Sequence, residues 1–264
     1  MKKVLLLACT AVAAVTPCVN AAVYDLTTSS TVVVNTIYGP AIFTTDFTQP
    51  AGTGVLDPFL TIQKKGVEQG YNTSAPQGVF DTKREPQYNH ELRLSDLATV
   101  NIGGTDYYSF LLDINEPNGG NKSQISLDML KIFTTTQARQ TTTNVESLGV
   151  KRFDLDLPSD SYIKYDDQNH GSGQADIAFF IPTASFLTGP NAARPTDLVY
   201  MYQRFGDNIS ADFDGSTQGG FEETAIGFGV TPIPEVPAAL PLAGVLGAVI
   251  GINYFRRRGA APAA

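Results

Sequence analysis

Oxygen-bearing side chains at strand and turn spacing are the chemistry this chain offers most plainly. Asp113 and Asn115 stand two residues apart, so on a strand both point to one face. Glu116-Pro117-Asn118-Gly119-Gly120 then turns the chain toward Asp128. Hard oxygen donors gathered around a turn suit a calcium ion, so Asp113, Asn115 and Asp128 form the candidate metal set, with calcium as the one cofactor to consider. Two further clusters have the same character. Asp154 and Asp156 are followed by Asp160, Asp166 and Asp167, and Asp207, Asn208, Asp212 and Asp214 precede Gly215. The last cluster fails as an EF-hand loop. With Asp212, Asp214 and Gly215 at the third, fifth and sixth places, Phe221 falls where the closing carboxylate belongs, and Glu222 comes one residue late. The same Asp and Asn residues also cap turns through backbone hydrogen bonds, and both alternatives stand at this point.

Other chemistries find less support. His90 and His170 are the two histidines, far apart and without a His-Glu-x-x-His pattern, which disfavours a transition-metal centre. Asn169-His170-Gly171-Ser172-Gly173 sets a histidine beside a serine but does not match Gly-x-Ser-x-Gly, and a polar turn explains it equally well. Glu222 and Glu223 are adjacent, so on a strand they face opposite ways, whereas glycoside hydrolysis needs two carboxyls flanking one bond. Gly103-Gly104 and Gly119-Gly120 lack the Lys-Ser/Thr pair of a phosphate loop. A non-catalytic protein is the expectation. Tyr71, Tyr88, Tyr107, Tyr108, Tyr162, Tyr165, Tyr200 and Tyr202 offer faces for sugar rings, although strand aromatics ordinarily fill a core and the chain has no Trp.

The elements that must position these residues read as strands. Residues 31–37, 41–47, 55–63, 107–114, 125–133, 161–165, 177–181, 198–202 and 224–230 are short, β-branched or aromatic, and bounded by Gly, Pro, Asn or Asp. This pattern is that of an all-β sandwich or barrel, and a jelly-roll-like β-sandwich is the expected fold. Helical turns are expected near 94–99 and 183–187, and irregular surface loops over 66–87 and 207–220.

Charge narrows the partners. Between Ala22 and Ile233 lie 25 of the 26 acidic residues and 13 of the 18 basic ones, a formal charge of −12. Such a surface repels nucleic acid, so no nucleic-acid partner is expected. Both cysteines, Cys9 and Cys18, fall near the N-terminus, which leaves this stretch without a disulfide.

The two ends carry an address. Met1-Lys2-Lys3, an apolar run over 4–15 and the small residues of Val19-Asn20-Ala21 make a signal peptide, cleaved after Ala21 or Ala22. Leu6-Leu7-Ala8-Cys9 leaves no room for an apolar core before its cysteine, and Pro17 spoils Cys18, so a lipid anchor is not expected. At the other end, residues 238–255 are nearly all apolar and at helical rise span roughly 27 Å, enough to cross a bilayer core. Arg256-Arg257-Arg258 would hold the C-terminus on the cytoplasmic side. The expected organisation is a signal peptide over 1–21, a β-rich extracellular domain over 22–228, a spacer with motif over 229–237, a transmembrane helix over 238–255 and a cytoplasmic tail over 256–264.

Pro234-Glu235-Val236-Pro237, the apolar helix and Arg256-Arg257-Arg258, matched by a signal peptide, resemble the PEP-CTERM class of exported bacterial proteins. The run Val236-Pro237-Ala238-Ala239-Leu240-Pro241-Leu242 is similar to its VPLPA-type variant, with a valine interrupting the usual motif and six residues following the arginines. The resemblance implies export through the Sec translocon and signal peptidase. An exosortase-type membrane protease then acts on the sorting motif of the membrane-anchored intermediate. The product reaches the cell surface or an exopolysaccharide matrix. A tail anchor that is never processed is the competing expectation. Gly54-Val55-Leu56-Asp57-Pro58-Phe59, Glu68-Gln69-Gly70-Tyr71-Asn72-Thr73, Phe110-Leu111-Leu112-Asp113-Ile114-Asn115, Ile125-Ser126-Leu127-Asp128, Gly171-Ser172-Gly173 and Gly219-Gly220-Phe221-Glu222-Glu223 resemble domains found in front of such tails. They imply one domain and bring no catalytic residues. The expected function is a non-catalytic surface or extracellular-matrix protein of a biofilm. A calcium-assisted carbohydrate-binding module is the alternative, and a secreted hydrolase stands third.

Overall fold

Along Thr105–Ile114, Tyr108, Phe110, Leu112 and Ile114 belong to one apolar cluster while Tyr107 and Leu111 belong to another. That split is the two-residue period of a strand buried on both faces. A computed structural model describes residues 21–48, 56–117, 119–167 and 174–233. The chain divides into two units, Met1–Thr231 and Pro232–Ala264, and in the second only Pro232 and Ile233 are described. The expected signal peptide, the sorting motif Pro234 to Pro237, the apolar run and Arg256 to Arg258 lie outside the described residues.

The described part of the first unit is all-β, with two seven-stranded sheets. One runs Ala22–Asp25, Ser161–Asp166, Gln124–Thr135, Leu198–Phe205 and Glu68–Tyr71, with Val150–Asp154 added beside Gln124–Thr135 and Leu92–Arg93 beside Leu198–Phe205. Its first pair is parallel and the others antiparallel. The second sheet runs Thr31–Thr36, Gly39–Thr44, Ile177–Pro182, Thr105–Ile114, Glu222–Ile226 and Pro58–Ile62, all antiparallel, and Thr99–Ile102 forms a hairpin with Thr105–Ile114.

One apolar cluster draws from both sheets. Leu127, Ile132, Met201 and Phe205 come from the first, and Phe43, Phe110, Leu112 and Phe179 from the second. Phe179 stacks on Phe43 at 5.7 Å and on Phe110 at 5.1 Å. Each such buried ring contributes about 1.5–3 kcal/mol through lost water contact, and each aromatic pair about 0.5–1.5 kcal/mol more. Smaller clusters cover the outer faces, Tyr71, Phe133, Tyr200 and Tyr202 on the first sheet and Tyr107, Leu111 and Phe180 on the second.

Residues 66–87 depart from the expected loop. Glu68–Tyr71 is a strand, and Tyr71, Asn72 and Thr73 are buried. Antiparallel pairing with Tyr202 to Phe205 supplies the backbone partners that composition hid. Asn72 then continues the ladder with its side chain. Its Nδ2 donates to the Val199 and His90 carbonyls, and its Oδ1 accepts from Met201 N–H. Among the described residues helix is limited to single turns such as Leu94–Asp96 and Ala184–Leu187. Among the described residues no helix is long and apolar enough to cross a membrane.

Candidate functional site

Glu222 pairs in register with Ile114 on one side and Ile62 on the other, and both partners face the shared core. Glu222 therefore points inward from the second sheet. Glu68 pairs with Phe205, whose ring is also in that core, so Glu68 points inward from the first sheet. Glu116 sits just beyond Thr105–Ile114. The three are 0 %, 0 % and 4 % exposed for Glu222, Glu68 and Glu116.

Their hydrogen bonds are uneven. Gln218 N–H donates to both oxygens of Glu116, at 2.9 and 2.8 Å. Lys64 N–H donates to Glu68 Oε2 at 2.6 Å, while Glu68 Oε1 receives no donor. Neither oxygen of Glu222 receives one. What reaches Glu222 is the carboxyl of Glu68 and that of Glu116. Two facing carboxyls form a hydrogen bond only when one carries a proton. Burial, reinforced by the neighbouring carboxylates, raises Glu222 well above the ordinary carboxylate range. Burial lifts Glu116 to about 7 and raises Glu68 as well.

A second acidic group adjoins the first. Asp176 accepts from Tyr165 O–H at 3.0 Å and from Ile114 N–H at 2.8 Å. Burial lifts it to about 7, with the charges of Asp167 and Asp113 adding to the effect. Asp167 also acts on Glu116, which joins the two groups. Among the described residues the charge of Lys64 reaches Glu68, and Lys64 is itself paired with Asp81 at 3.3 Å.

The candidate calcium residues are not brought together. Thr105–Ile114 and Gln124–Thr135 belong to different sheets, so the turn after Asn115 crosses between sheets instead of closing a hairpin. Asp113 alternates with inward Leu112 and Ile114, which puts it on the outer face of the second sheet. Asp128 is tied with Ser126 to Asn208 on the outer face of the first. Its two oxygens accept from Asp207 N–H at 2.7 Å and Asn208 Nδ2 at 2.6 Å. Asn115 gives both its N–H and its side-chain amide to the Phe221 carbonyl. Among the described residues no group of three or more His, Cys, Asp or Glu is arranged to hold a metal ion. Several acidic side chains instead serve turns: Asp154 accepts from Asp156 N–H, and Asp214 from Ser216 N–H and Oγ.

Six of the eight tyrosines weighed as sugar platforms are buried, all but Tyr88 and Tyr162. His90 contacts the Pro86 carbonyl, and His170 and Ser172 lie outside the described residues. Glu222 and Glu223 do face opposite ways, the first enclosed and the second receiving the Thr61 hydroxyl. Ala22 opens the first strand, and its N–H donates to the Asp160 carbonyl at 2.8 Å. The chain matches no protein-family model, no curated protein and no solved structure.

Sequence reasoning passed over Glu68, Glu116 and Glu222 as a group. One signal was present. Glu222, Thr224 and Ile226 share a strand face, and Ile226 packs against the core.

Proposed function

We propose that this chain is a non-catalytic exported surface or extracellular-matrix protein. Its body is a jelly-roll-like β-sandwich, and its C-terminal Pro-rich motif, helix and Arg cluster sort it through an exosortase-type protease. The observation that carries the proposal is the placement of the body's two ends. Ala22, beside the expected signal-peptidase cut, is the first paired residue among those described. At the other end Thr231 contacts Thr48 through their hydroxyls at 3.0 Å, and Pro234 follows three residues later in sequence. A cut after Ala21 and another near Pro237 would leave the described strands whole, and a cut after Ala22 would remove one paired residue.

The test is the intact mass of the native protein recovered separately from membrane and culture medium. A species in the medium starting at Ala22 or Val23 and ending near Pro237 is expected. A full-length chain confined to the membrane would remove the sorting proposal.

A further inference from the structure

We propose that Glu68, Glu116 and Glu222 share protons and form a pH-operated latch, which holds the segment 215–221 shut over one end of the two-sheet body. This segment is the strap that crosses between the sheets. At its start, Gly215 accepts from Ser126 N–H of the first sheet at 3.0 Å. At its end, the Phe221 carbonyl accepts from Asn115 N–H, beside the second sheet, at 3.1 Å. In between, Thr217 and Gln218 pair with Gly66 and Lys65, and the Thr217 hydroxyl donates to the Lys64 carbonyl. Gln63 Nε2 donates to the Gly219 carbonyl at 2.9 Å.

The strap and the carboxyls hold each other. Gln218 N–H is bound by Glu116, and Lys64 N–H, next to the strap's pairing partner, is bound by Glu68. Glu222 stands between them with both oxygens enclosed and no donor. With a proton on Glu222, its O–H donates to Glu68 or to Glu116, and one of the three like charges is removed. Without it, three like charges face one another away from water, which neither Coulomb's law nor solvation favours. Lifting the strap is the way to let water in.

The surroundings do not offset this. Lys64 and Asp81 flank Glu68, and their charges pair with each other. Asp167 acts on Glu116, with Asp113 and Asp176 behind it. Glu223 and Lys83 act on each other across the strand from Glu222, where Lys83 Nζ lies 4.4 Å from the Phe221 ring centre. Lys65 on the pairing strand is exposed.

The folded-state affinity for protons is raised at all three carboxyls, so the latch is closed below the ordinary carboxylate range. It is lost as pH rises through the raised values, about 7 for Glu116.

Hydrogen–deuterium exchange of the purified full chain between about pH 5 and about pH 9, corrected for intrinsic rates, tests this. Peptides covering 215–221 should lose protection with rising pH, by roughly tenfold per pH unit for each proton released. Glu222→Gln should flatten that slope, because an amide donates to both neighbours at every pH. Glu116→Gln should also flatten it, should the first variant fold poorly. Glu223→Gln, on the opposite face, should leave it intact. Protection that is flat with pH in the native chain would overturn the latch, as would a native slope retained in both triad variants. Loss of closure on chelation, or its rescue by calcium at high pH, would show a cation in place of the proton and overturn it too.

Discussion

Thr224 and Gln203 meet inside the body, the threonine hydroxyl donating to the amide oxygen at 2.9 Å across the gap between the two sheets. Both are fully buried, and this bond joins Glu222–Ile226 to Leu198–Phe205 within a zone otherwise filled by Leu, Ile and Phe. It lies two residues from Glu222 on the same strand face, so the polar end of the interior begins here.

Removing one partner should cost more than removing both. Thr224→Val keeps the shape but leaves the Gln203 oxygen buried without its donor, at a cost of about 1–3 kcal/mol. Combining it with Gln203→Leu should recover part of that loss. Urea unfolding of the two single variants and the double variant gives the coupling. Strict additivity would mean the bond contributes nothing.

Stability should fall as the solution turns from mildly acidic to mildly alkaline. Burial raises Asp156 to about 6 and both Asp176 and Glu116 to about 7. Each raised carboxyl binds its proton more tightly when folded, so its stabilising effect is complete below the ordinary carboxylate range. That effect is lost as pH passes through about 6 to 7. A melting temperature that drops between about pH 5.5 and about pH 8 is expected, with a smaller drop in Asp176→Asn. A melting temperature that rises over that range would refute the assignment.

The aromatic stack should be the costliest place to cut. Phe179 lies between Phe43 and Phe110 and is fully buried, so Phe179→Ala should lose about 3–5 kcal/mol. Phe179→Leu, which fills more of the space, should lose markedly less. Equal losses in denaturant titrations would mean the stack adds nothing beyond volume.

Strands with clean alternation were legible in the sequence. Thr31–Thr36, Thr105–Ile114 and Gln124–Thr135 fall close to where β-branched and aromatic residues placed them. Val150–Asp154 was not, because Lys151-Arg152-Phe153-Asp154 reads as polar. Its Arg152 is buried by partners distant in sequence, the Thr134 hydroxyl at 2.7 Å and the Asn191 carbonyl at 2.6 Å. The acidic end failed for the same reason. Glu68, Glu116 and Glu222 lie far apart in the chain, and only the facing of two sheets makes them neighbours. The spacing of Asp113, Asn115 and Asp128 was real, but a connection that changes sheets undoes it.

Gly220 gives the sharpest test of how the strap seats. A Cβ placed there would overlap the Asn115 carbonyl oxygen and come within 3.2 Å of Glu116 N. Both neighbours are backbone, so neither can swing aside as a flexible side chain would, and the strap itself must shift. Gly220→Ala should therefore cost about 1–3 kcal/mol through overpacking. It should also weaken the Asn115 N–H bond to the Phe221 carbonyl, whose strap lies one residue on. Faster amide exchange at Asn115 and Gln218, with the Phe179 region unchanged, is the expected pattern. An alanine variant with native melting temperature and native exchange at both amides would show that the strap does not pack as closely as its backbone contacts require.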